Sequence, residues 1–237
     1  MTQGSNCRGN AKIFTVVLMC IILVLGWSVS GRAEFENVNV NKLIEETQMM
    51  SEDVDDMTLV WWMPNEFWQI SFAQEPSISA EEVRQSLEML ANYTIIMLVD
   101  GSIGTFGGVT YQSESYLRSN TTISDMNGKQ YAPMASTAID ADTKALLTSM
   151  KPVFANMLGP MGENMHFLVF PAHGSDGQKI TNALEEGFFT VMTSGNSFTF
   201  RLPLGSLLPP KYCPVDGEEM NGAWNYCPWH GEKLILK

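Results

Sequence analysis

Basic residues are scarce in this chain: 14 Lys and Arg stand against 26 Asp and Glu, a net charge of −12 at pH 7. Binding to nucleic acid or to an anionic lipid surface draws on clustered cations, so this balance argues against either partner. Histidine and cysteine are scarcer still, with three and four copies in 237 residues. No G-x-S-x-G elbow, H-E-x-x-H helix or C-x-x-C pair occurs, which removes several well-defined hydrolase and redox chemistries. No repeat of 20 to 50 residues is visible either, which argues against a solenoid.

What is there begins with an export signal. Residues 1–12 carry Arg8 and Lys12 and no acid, and the apolar run IFTVVLMCIILVLGWSV follows from Ile13 to Val29. Gly31 and Ala33 supply small residues for a cleavage site before Glu34, while Met19 ahead of Cys20 is too large for a lipoprotein signal. Left uncleaved, residues 13–29 would act as a single anchor with the remainder outside the cytoplasm. Residues 1–33 are therefore expected to be a signal peptide or N-terminal anchor, and the rest extracytoplasmic, periplasmic or secreted. Membrane contact is expected only through that anchor. Their loss removes Arg8, Lys12 and Arg32 and no acid, leaving 11 basic against 26 acidic residues, a net charge of −15. Cys7 and Cys20 leave too, and the remaining pair, Cys213 and Cys227, suits an oxidising compartment.

Residues 34–57 form an acidic segment, with a helix expected over Asn41–Met50 and a solvated SEDVDD linker after it. A domain is expected over 58–208. Its first strand, Thr58–Met63, and a short helix from Pro64 to Ala73 crowd Trp61, Trp62, Phe67, Trp68 and Phe72 together, as core or as a flat ligand platform. Ser79 and Glu82 make a capping box for a helix over 80–91, and Asp140 caps a second through Leu158, with a kink or restart at Pro152. Thr94–Val99 and Asn164–Phe170 read as buried strands, and Phe188–Thr193 with Ser197–Leu202 reads as a hairpin. The glycines of 101–108 precede GVTYQSESYLRS, which reads as strand, so they form a hairpin loop and no phosphate site. The fold class is α+β: a mainly antiparallel sheet with two to four helices, plus a small C-terminal cysteine hairpin over 209–237.

That hairpin contains KYCPVDGEEMNGAWNYCPWHGEKL, in which C-P-x-x-G occurs twice, at Cys213–Gly217 and Cys227–Gly231. Each copy turns sharply after a thiol, glycine supplies the left-handed position, and the fourth residue points back toward the sulfur. Facing each other, the turns would gather Cys213, Asp216, Cys227 and His230. The pattern resembles the zinc ribbon, whose paired C-P-x-C-G knuckles hold one tetrahedral Zn²⁺. This implies structural zinc, with Asp216 and His230 standing where that family has Cys. A Cys213–Cys227 disulfide and two free thiols are the alternatives.

The function expected is a non-catalytic extracytoplasmic binding or accessory module for a protein or small ligand. A metal-dependent enzyme using the hairpin or His166, His173 and Asp176, and a structural envelope protein, are the alternatives. A reporter active only in the cytoplasm, fused after Lys237, should give no signal; strong activity would contradict the export reading.

Overall fold

Asn39 opens the first helix, α1 (Val40–Thr47), by accepting the N–H groups of Asn41 and Lys42 on its side-chain oxygen. The computed structural model describes residue 35, residues 38–53 and residues 55–237, so the expected leader, its apolar run at 13–29 and its cleavage site lie outside the described residues. Among the described residues no helix is long and apolar enough to cross a membrane. The helix expected to reach Met50 stops at Thr47, because Gln48–Met50 is a strand, β1, paired antiparallel with β2 (Leu59–Met63). Helix α2 (Asn65–Ala73) follows Pro64, and α3 (Ala80–Leu90) has the expected reciprocal cap between Ser79 and Glu82. Strand β3 (Tyr93–Val99) leads into the hairpin of β4 (Gly101–Ile103) and β5 (Val109–Tyr111), which encloses the glycine-rich loop as expected.

The strand expected after that loop ends early. Residues Glu114–Asn120 form helix α4, because Ser113 caps the Tyr116 N–H and Glu114 pairs with Arg118 one turn on. Strands β6 (Thr121–Ser124) and β7 (Gln130–Tyr131) come next. Helix α5 (Ala141–Leu158), capped by Asp140, runs through Pro152 without restarting and stops at Gly159, whose φ of 56° is closed to most side chains. A single turn, α6 (Pro160–Glu163), precedes β8 (His166–Pro171), β9 (Gly187–Thr193) and β10 (Asn196–Leu202). Two short strands, β11 (Lys211–Tyr212) and β12 (Glu219–Met220), belong to the C-terminal ribbon.

The architecture is α+β with mainly antiparallel sheets. One sheet runs β1-β2-β3-β8 and the other β10-β9-β6-β7. All five residues of β2 are buried, which requires a layer on each face. Neighbouring residues point to opposite faces, and the two tryptophans divide accordingly. Trp61 meets Phe67 of α2 and Phe154 of α5 edge-on, whereas Trp62 meets Phe189 and Phe200 of the second sheet. The order is helices, sheet, sheet. Trp61, Trp62 and Trp68 are only 4, 1 and 2% exposed, so the platform reading of this cluster is set aside and the core reading holds.

Polar groups fix the second sheet to the first. The Thr58 hydroxyl lies 2.7 Å from Asp56 Oδ1 and 3.2 Å from Asp100 Oδ1. Those carboxylates in turn take hydrogen bonds from Asn196 and Ser194 at the β9–β10 turn. A second tie holds the ribbon. Glu46 of α1 accepts the Gly205 and Ser206 N–H groups at the start of a 3-10 turn, the Ser206 hydroxyl, and the Asn221 side-chain amide at 2.7 Å. Approach is so close there that a Cβ on Gly205 would stand 1.6 Å from Asn221 Oδ1.

Truncating Trp62 removes the ring that joins the two sheets. Trp62→Ala should cost about 3–5 kcal/mol, read as a lower denaturant midpoint at an unchanged slope. A loss below about 1 kcal/mol would show that the sheets are held together by something else.

Candidate metal centre

The two cysteine turns fold alike, bond for bond. The Gly217 N–H donates to the Cys213 carbonyl at 2.9 Å and the Cys213 N–H to the Glu218 carbonyl at 2.9 Å. In the second turn Gly231 donates to Cys227 at 2.9 Å and Cys227 to Glu232 at 2.8 Å. Gly217 and Gly231 have φ values of 77° and 70°, which is why each turn closes on glycine. The Tyr212–Ile235 and Tyr226–Lys233 bridges, with the β11–β12 pairing, lay the turns side by side. Cys213, Met220, Cys227 and Leu234 form a small core of their own beneath them.

This geometry brings together Cys213, Cys227 and His230, close enough to bind a metal ion. His230 Nδ1 lies 3.4 Å from Cys213 Sγ and 3.5 Å from Cys227 Sγ, so that nitrogen faces both sulfurs. Asp216 stands at the rim with Oδ2 3.7 Å from the same nitrogen, while its Oδ1 accepts the Glu218 N–H at 3.0 Å. Both cysteines are buried, and both are free thiols, not the disulfide held open as an alternative.

Electrostatics differ between the two turns. Burial pushes the Cys213 thiol up, outweighing the N–H groups of Asp216 and Val215 aimed at its sulfur. At Cys227 burial works in the same sense, but the N–H groups of His230 and Trp229, together with the His230 ring, outweigh it and bring the thiol down. The Glu218 N–H, and then the Cys213 thiol, hold the Asp216 carboxyl below the usual range.

His166, His173 and Asp176 do not assemble, which corrects the second metal reading. His166 opens β8 and His173 follows its end, so the strand itself separates them by on the order of 20 Å. Asp176 Oδ1 accepts the Gln178 N–H at 3.1 Å within its own turn. His166 Nδ1 sits 3.6 Å from Glu114 Oε2, within ion-pair range but too far for a hydrogen bond, and is buried without a hydrogen-bond partner. Sequence reasoning passed over Glu46, whose partners lie 159 to 175 residues away, and the exposed aromatics of the ribbon, Trp224, Tyr226 and Trp229. For the aromatics a signal existed, three rings within six residues beside two glycines; for Glu46 there was none.

Burial lowers the His166 pKa from 6.5, with Lys151 adding to the effect and Glu114 opposing it. The unfolded chain therefore takes up this proton first, and folded stability falls as pH drops through about 6.5 before levelling off below the folded value. The urea midpoint should be lower at pH 5.5 than at pH 7.5, and His166→Gln should flatten that dependence; an unchanged slope in the variant would assign it elsewhere.

No family model matches this chain, and neither the curated proteins nor the solved structures contain a significant match to it.

Proposed function

We propose that this chain is a non-catalytic extracytoplasmic binding module whose C-terminal ribbon is folded around one structural Zn²⁺. The observation that carries the reading is the convergence of Cys213, Cys227 and His230 from two congruent turns. Zinc binds sulfur at about 2.3 Å and imidazole nitrogen at about 2.0–2.1 Å, so tetrahedral angles set the two about 3.6 Å apart. The separations of 3.4 and 3.5 Å fit that edge. Asp216 lies outside that group of three, with Oδ2 3.7 Å from His230 Nδ1; turned inward it would complete the tetrahedron, and four protein ligands would leave no open position for substrate. That favours a structural metal over the enzyme alternative.

The ribbon needs such a staple, because a core of Cys213, Met220, Cys227 and Leu234 is too small to order it alone. Meanwhile its surface carries Trp224, Tyr226 and Trp229, the last 74% exposed, together with Val215 and Leu236. Exposed rings on a stapled appendage support a binding role over a purely structural one. Export rests on the basic, apolar and small-residue order of residues 1–33.

Metal analysis and thiol counting on the purified protein test the centre. About one zinc per chain and two thiols after unfolding are expected, with zinc lost in Cys227→Ser and His230→Ala. A chelator should loosen the ribbon and leave the two-sheet domain folded. Absence of metal from freshly purified protein, with Cys213 and Cys227 oxidised or freely reactive, would overturn the proposal.

A further inference from the structure

Among the described residues, strand β10 ends its sheet and no strand covers its far side. The two-residue turn Ser194–Gly195 makes Thr193 and Asn196 the closing hydrogen-bonded pair of the hairpin, and such pairs recur at every second residue. Phe198, Phe200 and Leu202 therefore bond to β9, whereas Ser197, Thr199 and Arg201 turn their N–H and C=O groups outward. Among the described residues no strand pairs with that side and no backbone group bonds to those three. The other edges are shorter or covered: β1 and β7 have three and two residues, and Met134 already bonds to the Val169 carbonyl of β8. Natural edges are usually blunted by proline, bulges or charge. Here the register is unbroken through seven pairs, proline comes only at Pro203, and Arg201 is the single charge.

The C-terminal half of this strand also lines a cleft of about 630 Å³. The strand contributes Thr199 and Arg201, the ribbon the half-exposed ring of Trp224, helix α1 Glu45, and the residue before β9 Glu186. Neither carboxylate has an ion-pair partner among the described residues. The cleft thus joins a row of unused backbone donors and acceptors to a flat ring, two carboxylates and the one cation of Arg201, none of the three charges ion-paired among the described residues.

We infer that the β10 edge and this cleft bind an extended, basic peptide segment of a partner protein as an added strand. The inference rests on the binding-module reading and names the class of its partner. Backbone bonding to Ser197, Thr199 and Arg201 holds the segment, and a Lys or Arg side chain enters the cleft against Trp224, Glu45 and Glu186. Charge selects this occupant. A second copy of the chain would bring another net −12 to the same edge, while a basic peptide is drawn to it.

The test uses the full exported chain with zinc present and a fluorescent decapeptide alternating Val with Lys, compared with the same peptide carrying Glu for Lys. The Lys peptide should bind and slow hydrogen exchange at the Ser197, Thr199 and Arg201 amides, and the Glu peptide should not. Thr199→Pro deletes an outward N–H and leaves the backbone bonds to β9 in place, giving up only the exposed hydroxyl contact with Thr190 that Thr199→Val also removes; the proline variant should weaken binding about tenfold and the valine variant should not, with similar melts for both. The double variant Glu45→Lys, Glu186→Lys, which leaves the edge intact, should weaken the Lys peptide by a similar factor and admit the Glu peptide. Equal binding of both peptides, binding insensitive to both the proline and the double variant, or no protection of the three amides would overturn the inference. So would sedimentation showing a dimer that Thr199→Pro dissociates. Zinc content is read on the same samples, so loss of peptide binding with one zinc retained refutes this inference alone.

Discussion

Everything in the two-sheet domain depends on β2 having no solvent face. Five consecutive apolar residues in extended conformation send side chains both ways, and each side must then be covered. Helices α2 and α5 cover Trp61, and the aromatic pair Phe189 and Phe200 covers Trp62. The two phenylalanines, themselves stacked at 4.9 Å, commit β9 and β10 to this position. With their inner faces so used, Thr190 and Thr199 are left on the outer face, joined by a hydroxyl contact of 2.9 Å. The open edge of β10 is a consequence of that commitment.

Glu46 does for the ribbon what Trp62 does for the sheets. One carboxylate meets two backbone N–H groups, a hydroxyl and an amide, and so joins α1, the turn after β10 and the ribbon. Charge-assisted bonds of this kind are directional, and a four-donor acceptor leaves little freedom to rotate. The Lys42–Glu219 pair at 3.3 Å adds a second, solvent-exposed contact. Where the ribbon sits decides where Trp224 sits, and hence whether the β10 edge faces bulk water or a walled cleft.

The ribbon itself obeys a different economy. Its two turns are specified locally, by glycine and by N–H groups aimed at sulfur, but its core is too small to hold them together. A metal ion joining Cys213, Cys227 and His230 would supply across the ribbon what β2 supplies across the domain. The exposed rings then cost the fold nothing in core area, since they were never available to it.

Much of this was written locally in the chain. The Ser79–Glu82 cap, the Asp140 cap, the burial of LVWWM, the β9–β10 hairpin and the two cysteine turns all follow from residues a few positions apart. Helix α4 was missed because a serine cap and one i,i+4 ion pair leave little mark on hydropathy. Strand β1 was missed because three residues carry no period, and only pairing with β2 makes them extended. The service of Glu46 to donors 159 or more residues away and the placing of Trp224 in one cleft with Thr199 and Arg201 of β10 were decided by tertiary structure alone. The reason is physical: periodicity and turn chemistry act over one or two turns of chain, whereas a cleft is made by surfaces that meet only after the layers have packed.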